Sequence, residues 1–250
     1  MKKYSILLLI FVFAAGAFAQ KDDKQKKDEK EKTTPATTVA ISKTSTPMEL
    51  AKAALAAHGG DKFKNMKSLK VIGTAEVSGS PTQVMNGSFA MIFSGEKYRL
   101  EIVVPLQSFK QVYDGEQTLS SIPNFQLPPL NRLGLPLLAK IDEKGFTVAE
   151  LPEKGKKLGF RITSPEGYYT DFFIDEKTGQ VKSYAAKYDF NGREITTAVD
   201  IDKVKDVEGI LIPEKYSQRF DLGQITMYSN FKAKEILVNT AIDDDVFTLK

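Results

Sequence analysis

Along most of the chain from residue 68 to residue 238, apolar and polar side chains alternate with a period of two. In SLKVIGTAEVSG, Leu69, Val71, Ala75 and Val77 share one face, and Lys70, Thr74, Glu76 and Ser78 share the other. Phe89, Met91 and Phe93 line up in the next run, and Tyr98, Leu100 and Ile102 oppose Arg99 and Glu101 in the one after it. One apolar and one wet face per strand is the pattern of an antiparallel sheet. Turn-forming stretches, among them FSGEK, YDGEQ, SPEGYY, DEKTGQ, FNGRE and DVEGI, fall between the runs at hairpin spacing. The pattern predicts about eleven strands, the first over 68–78 and the last over 224–238, with Asn230 a candidate break in the last.

Helical spacing fits two places. In TSTPMELAKAALAAHGG, Thr46 is a good N-cap, Pro47 suits the first helical position, and Glu49 completes a capping box. Met48, Ala51 and Leu55 repeat at helical spacing until Gly59 and Gly60 stop the run, and DKFKNMKS adds room for one more turn. The second place is the stretch near 130–141. Two short helices cannot fill the apolar face of so many strands, so the sheet must curl on itself. The fold class expected is mainly β: an incomplete antiparallel β-barrel wrapped over a few short helices, an architecture able to hold a ligand inside. No internal repeat is evident, and residues 47–250 read as a single domain.

The side chains expected to face inward are Phe89, Met91, Phe93, Leu100, Ile102, Phe109, Phe160, Ile162, Phe172, Tyr184, Tyr188 and Met227. Each alone is an ordinary core residue. Together, with so few fillers available, they are candidates to line a ligand cavity, and Met and Phe adapt to guests of variable shape. Between two β-type regions lies PNFQLPPLNRLGLPLLAKI. Its Leu127, Leu130, Leu133, Leu135, Leu137 and Leu138 would be costly in water, and Pro128, Pro129 and Pro136 keep it discontinuous. Laid over the mouth of a curled sheet it would act as a plug or lid able to shift, with Leu130, Leu133, Leu135, Leu137 and Leu138 against the sheet.

The ends of the chain add a compartment. Lys2 and Lys3, the apolar run Ile6 to Phe13 and the small-x-small site Ala17-Phe18-Ala19 form a secretory signal peptide over 1–19, cleaved after Ala19. The apolar run is shorter than a spanning helix requires, so removal is expected rather than an uncleaved anchor. Residues 20–46 are a linker: six lysines and five acids fill positions 21–32, followed by a Thr/Ala/Ser/Pro stretch, and neither part can offset ordering entropy. The chain has no cysteine, which excludes disulfides, thiolate metal sites and a lipid-modified N-terminal cysteine. Without Lys2 and Lys3, Lys+Arg falls from 35 to 33 against 32 acids, a net charge of +1. Such balance leaves no footprint for nucleic acid and at most transient contact with a membrane surface.

Catalytic constellations are missing from the pattern. There is no G-x-S-x-G elbow, P-loop, H-E-x-x-H or G-x-G-x-x-G run, so no enzyme, cofactor or metal is expected. His58 is the one histidine. It follows a helix end, where a cation complements the dipole, and capping or an exposed position outweighs catalysis there. Asp243, Asp244 and Asp245 lack the spacing of a calcium loop and read as a solvated turn before a final short helix.

ALAAHGGDKFKNMKSLKVIGTAEVSG resembles the opening of the periplasmic carriers that sort outer-membrane lipoproteins, the LolA/LolB-like fold. VYDGEQT, FFIDEKTGQVKSY, VKDVEGILIPEKY and KEILVNTAIDDDVF follow in the order found in such chains, so the resemblance spans residues 47 to 250. It implies an incomplete barrel of about eleven strands with an apolar cavity for acyl chains, in the periplasm of a Gram-negative-type bacterium. The implied cargo is a lipid or an acylated protein. The chain departs from that pattern in lacking a lipobox cysteine and in carrying a charged linker before its first helix. A competing reading is a non-catalytic envelope assembly protein acting through a protein partner reached by the linker.

Overall fold

The computed structural model describes residues 41–42, 44–80, 83–105, 107–123, 126–152, 157–190, 193–221 and 226–249. The expected signal peptide and residues 20–40 and 43 of the expected linker lie outside the described residues. Ile41 already packs against the core, so contact with the domain begins ahead of Thr46.

The strands are β1 Ser68–Ser80, β2 Gln83–Ser94, β3 Lys97–Val104, β4 Gln107–Tyr113, β5 Thr118–Ser120, β6 Thr147–Ala149, β7 Gly159–Thr163, β8 Tyr169–Ile174, β9 Val181–Phe190, β10 Arg193–Val207, β11 Ile210–Asp221 and β12 Thr226–Val238. They form one antiparallel sheet in the order β5-β4-β3-β2-β1-β12-β11-β10-β9-β8-β7-β6. Two meanders, β1 to β5 and β6 to β12, are joined where β1 pairs with β12. The outer strands β5 and β6 have three residues each and are not neighbours in the sheet, so it is open rather than a closed barrel. Such short edges offer little template for stray pairing.

No break occurs at Asn230, which pairs with Glu76 and Ser217 in a continuous β12. The irregularity falls instead between Ile72 and Gly73, opposite Glu235 and Ala233, leaving Lys234 as the extra residue of a bulge. Glycine is required at position 73. A Cβ there would collide with the Lys232 carbonyl and stand 2.7 Å from the Phe89 ring, so Phe89 lies down over β1.

The helices α1 Pro47–Ala57 and α2 Asp61–Lys64 sit on the inner face. The Thr46 hydroxyl accepts the Glu49 N–H at 3.3 Å, and the Glu49 carboxylate accepts the Thr46 N–H at 2.7 Å, which starts α1. Leu50, Ala51, Ala53, Ala54 and Leu55 are buried, and α1 lies against β6 and β7. Two 3-10 segments, Leu130–Arg132 and Leu135–Lys140, make up most of a strap over residues 127–141. On the outer face, a last 3-10 turn Asp244–Phe247 rests on β3. Arg99 Nη1 donates to the Val246 carbonyl at 2.9 Å, and Lys97 pairs with Asp244 at 2.9 Å.

His58 is not the exposed cap expected of it. Its ring is fully buried at the C-terminal end of α1. Nδ1 donates to the Leu211 carbonyl at 3.0 Å, and Nε2 accepts the Val181 N–H at 3.1 Å, a pairing open only to the neutral ring. The His58 carbonyl accepts the Leu211 N–H at 3.2 Å, and Lys62 Nζ donates to the Glu208 carbonyl at 3.0 Å. The start of β9 and the β10–β11 hairpin are thereby tied to one helix end. Burial holds the His58 pKa below its ordinary 6.5, against the opposing bond to Leu211.

Because the folded pKa is depressed, the unfolded chain takes up its proton first as the pH falls. The stabilisation is complete above pH 6.5 and is lost as the pH drops from there through the depressed folded value. The urea midpoint should hold steady above pH 6.5 and decline as the pH falls from there towards the depressed folded value. His58→Ala should flatten the decline and cost about 3 kcal/mol at neutral pH, because it orphans the Val181 N–H and the Leu211 carbonyl. An unchanged midpoint in the variant would show that the tie is not holding the hairpins.

Candidate ligand cavity

Where α1 and Leu135–Lys140 cover the inner face, it is solidly packed. Phe160 and Phe172 stack at 5.2 Å, and with Ile162, Leu137 and Leu138 they have no exposed surface. Beyond that cover, a cavity of about 430 Å3 lies between the strap and β1 to β3 and β9 to β12. Leu69, Val71, Met91, Leu100, Ile102, Met227 and Phe231 line it from the sheet, and Leu130, Leu133 and Leu135 from the strap. Tyr216 stacks on Phe231 at 4.8 Å, and Phe89 meets Phe231 edge-on at 5.0 Å, giving one side an aromatic floor. Tyr184 and Tyr216 keep accessible surface although burial pushes both phenols well above their ordinary 10, because that surface faces the cavity.

Of the side chains expected inward, Met91, Phe93, Leu100, Ile102, Tyr184, Tyr188 and Met227 line this space. Phe89 lies in the core beneath it, 2 % exposed over Gly73. Phe109 stands opposite Ile102 on β4, outside the lining. Phe160, Ile162 and Phe172 are core residues instead, since α1 and the strap occupy the surface they present. In the strap, Leu130, Leu133 and Leu135 line the cavity while Leu137 and Leu138 are wholly buried. The lining also includes Phe63, Tyr216, Phe231, Thr197, Gln218 and Asn131, which sequence reasoning did not single out. Period-two alternation puts Tyr216 and Gln218 on one face, but nothing in it separates cavity from core.

The strap is tied by hydrogen bonds at several points along its length. The Gln111 side chain, fully buried on β4, takes both backbone groups of Leu127: Oε1 accepts its N–H at 2.6 Å and Nε2 donates to its carbonyl at 3.0 Å. Gln111 Nε2 also donates to the Tyr98 hydroxyl at 2.8 Å. At the β2–β3 turn, Glu96 accepts from Asn131 Nδ2 at 3.0 Å, Arg132 Nη1 at 2.8 Å and Lys140 Nζ at 2.7 Å. Burial pushes the Glu96 pKa up, but the bonds and charges of Lys140 and Arg132 outweigh it and hold the carboxyl below its ordinary value. Thr170 Oγ1 accepts the Gly134 N–H at 3.0 Å. Gly134, at φ +64, lets the strap lie on the Tyr184 ring, which a Cβ would approach to 3.0 Å.

Among the described lining residues, two side-chain polar atoms are buried without a hydrogen-bond partner, Tyr188 Oη and Asn131 Oδ1. An orphan of this kind costs about 1–3 kcal/mol, so a guest that satisfies it gains that much. Among the described residues no cluster of His, Cys, Asp or Glu is placed to hold a metal, and both ring nitrogens of His58 are engaged in the fold.

No family model and no curated protein matches this sequence. Solved structures do. A LolA superfamily protein from Nitrosomonas europaea superposes with a TM-score of 0.53 at 11% identity, covering 82% of this chain and 99% of its own. A DUF1329 family protein from Desulfovibrio piger gives 0.50 at 11% identity, covering 82% and 98%. A putative outer membrane lipoprotein-sorting protein domain from Vibrio parahaemolyticus gives 0.45 at 10% identity, covering 80% and 95%. The first two define the class: the fold is LolA-like, an open, mainly antiparallel β-sheet carrying a few short helices on one face. Among the described residues no helix is long and apolar enough to cross a membrane.

Gln111→Leu keeps the volume near the strap but leaves both backbone groups of Leu127 unpaired. Urea denaturation should register a loss of about 2 kcal/mol, and hydrogen exchange at the Leu127 amide should accelerate well before global unfolding. Unaltered protection of that amide would show that the strap is held by its leucines alone.

Proposed function

We propose that the protein is an exported carrier or binding protein that holds the acyl chain of a lipid or lipoprotein in the cavity beneath the strap. The observation that carries the reading is the unfilled space itself. Its volume of about 430 Å3 falls within the range of roughly 300–1,000 Å3 typical of ligand sites. Leucine, methionine and aromatic side chains dominate its lining, and each methylene moved there from water gains about 0.8 kcal/mol. The LolA-like fold, and the resemblance of phrases such as VYDGEQT to those of lipoprotein-sorting carriers, support the same reading.

On this reading residues 1–19 direct export to the periplasm and are removed after Ala19, residues 20–46 are a tether, and residues 47–250 form the binding domain. The protein performs no chemistry on its cargo. Delivery follows from competition: a membrane, or an envelope protein with a larger apolar surface, draws the chain out of the cavity.

Native mass spectrometry of protein purified without denaturation should show a co-purifying lipid. The stripped protein should take up the uncharged dye N-phenyl-1-naphthylamine and release it to a monoacylglycerol. Leu100→Trp and Met227→Trp extend bulk into the cavity. Excluding even two methylenes costs about 1.6 kcal/mol, roughly tenfold in affinity, so both variants should bind at least that much more weakly while remaining folded. Protein that carries no lipid and takes up no dye would sink the reading.

A further inference from the structure

Three side-chain polar atoms among the described residues are buried with no hydrogen-bond partner: Tyr188 Oη, Asn131 Oδ1 and Ser164 Oγ. Ser164 does not line the cavity, and Asn131 already donates twice to Glu96. Tyr188 is different. It lines the cavity, is 6 % exposed, and its hydroxyl is its one polar side-chain atom. A buried phenol with nothing to bond, on a residue that lines the cavity, gains from a guest that bonds it.

Register gives it two companions. Tyr188 stands opposite Ile195, and Thr197 opposite Ala186, so Tyr188 and Thr197 are diagonal neighbours on one face of β9 and β10. Gln218 stands opposite Val199 on β11, diagonal to Thr197, and donates from Nε2 to Thr197 Oγ1 at 2.9 Å. Both also line the cavity. The diagonal thus offers two hydroxyl donors and one amide carbonyl, all uncharged. The described lining residues of β9 to β12 carry no charge. The basic residues of the lining, Lys64, Lys67 and Lys140, belong to α2, the segment after it and the strap. Lys64 is paired with Asp142 and Lys140 with Glu96.

We propose that Tyr188, Thr197 and Gln218 are the point at which the cavity recognises an uncharged hydrogen-bonding group, the ester or amide carbonyl that joins an acyl chain to its head, and that they select against a free carboxylate. The inference rests on the carrier reading and adds the chemistry that the cavity selects. A carbonyl placed there accepts the Tyr188 O–H and satisfies both partners. A carboxylate placed there is buried with no cation beside it. Burial pushes the Tyr188 phenol up to about 12, so it stays protonated and able to donate.

The test is displacement of N-phenyl-1-naphthylamine by three ligands of one chain length: a monoacylglycerol, an N-acylglycinamide and the fatty acid, at a pH where the acid is ionised in water. The two neutral ligands should bind about tenfold tighter than the acid, the equivalent of one good hydrogen bond. Tyr188→Phe removes the hydroxyl alone. It should weaken the neutral ligands about five- to tenfold, leave the acid unchanged, and raise the melting temperature of the ligand-free protein by removing an orphan. A merely structural tyrosine would lower that temperature instead. Gln218→Met, which keeps the length of the side chain, should narrow the same preference. A stronger response to the ester marks a glycerolipid as the source and a stronger response to the amide marks an acylated protein terminus; either supports the assignment. Equal binding of the acid, or a Tyr188→Phe protein with undiminished affinity for the neutral ligands, overturns it and leaves the carrier reading standing. Failure of every ligand to displace the dye overturns both.

Discussion

The inner face of the sheet is wider than what lies on it. Strands β1 to β3 and β9 to β12 present apolar side chains at alternate positions along their ladders, while the two helices have 11 and 4 residues. The buried side of α1 is largely alanine, at 51, 53 and 54, so the helix sits close on β6 and β7 and fills little beyond them. Protein interiors normally close such gaps to crystal-like density. Here the remaining cover is a proline-interrupted strap in 3-10 conformation, and the space beneath it stays open.

Apolar collapse alone would pull such a strap down onto the sheet. Polar ties of fixed geometry set its position instead. Gln111 takes both backbone groups of Leu127, Glu96 gathers Asn131, Arg132 and Lys140, and Thr170 takes the Gly134 amide. At the opposite side of α1, the neutral ring of His58 bridges β9 and β11. These bonds need direction and distance, so they specify where the cover sits without requiring it to touch the floor everywhere. The unfilled volume and the orphaned Tyr188 hydroxyl lower the stability of the empty form. Any ligand that binds the folded state alone offsets that loss by mass action.

Much of the fold is written locally in the chain. The alternation Leu69, Val71, Ala75, Val77 assigns β1 its inner face, and Thr46 with Glu49 starts α1 where the capping pattern places it. The expectation of too few fillers came from the same local pattern. What the pattern lacks is the path of the chain across the sheet. Phe160 and Phe172 alternate in the same way as Met91 and Leu100, and only the crossing of α1 over β7 makes the first pair core and leaves the second facing the cavity. The local pattern around His58 shows a helix end only, because its true partners, Val181 and Leu211, are 123 and 153 residues distant. Gln111 left no trace either, since it bonds a backbone, and a backbone has no residue signature. Tyr188 and Thr197 share a face with many inward residues, and their polar tips gain meaning only once the register sets them on one diagonal.

The hollow is the central claim, and a crystal structure under xenon pressure tests it most directly, because dry apolar cavities take up xenon. Xenon atoms should occupy the space bounded by Met91, Leu133, Tyr216 and Met227, with the strap still bonded to Gln111. Leucines of the strap found in van der Waals contact with Met91 and Tyr216 across that space, and no xenon between them, would contradict it.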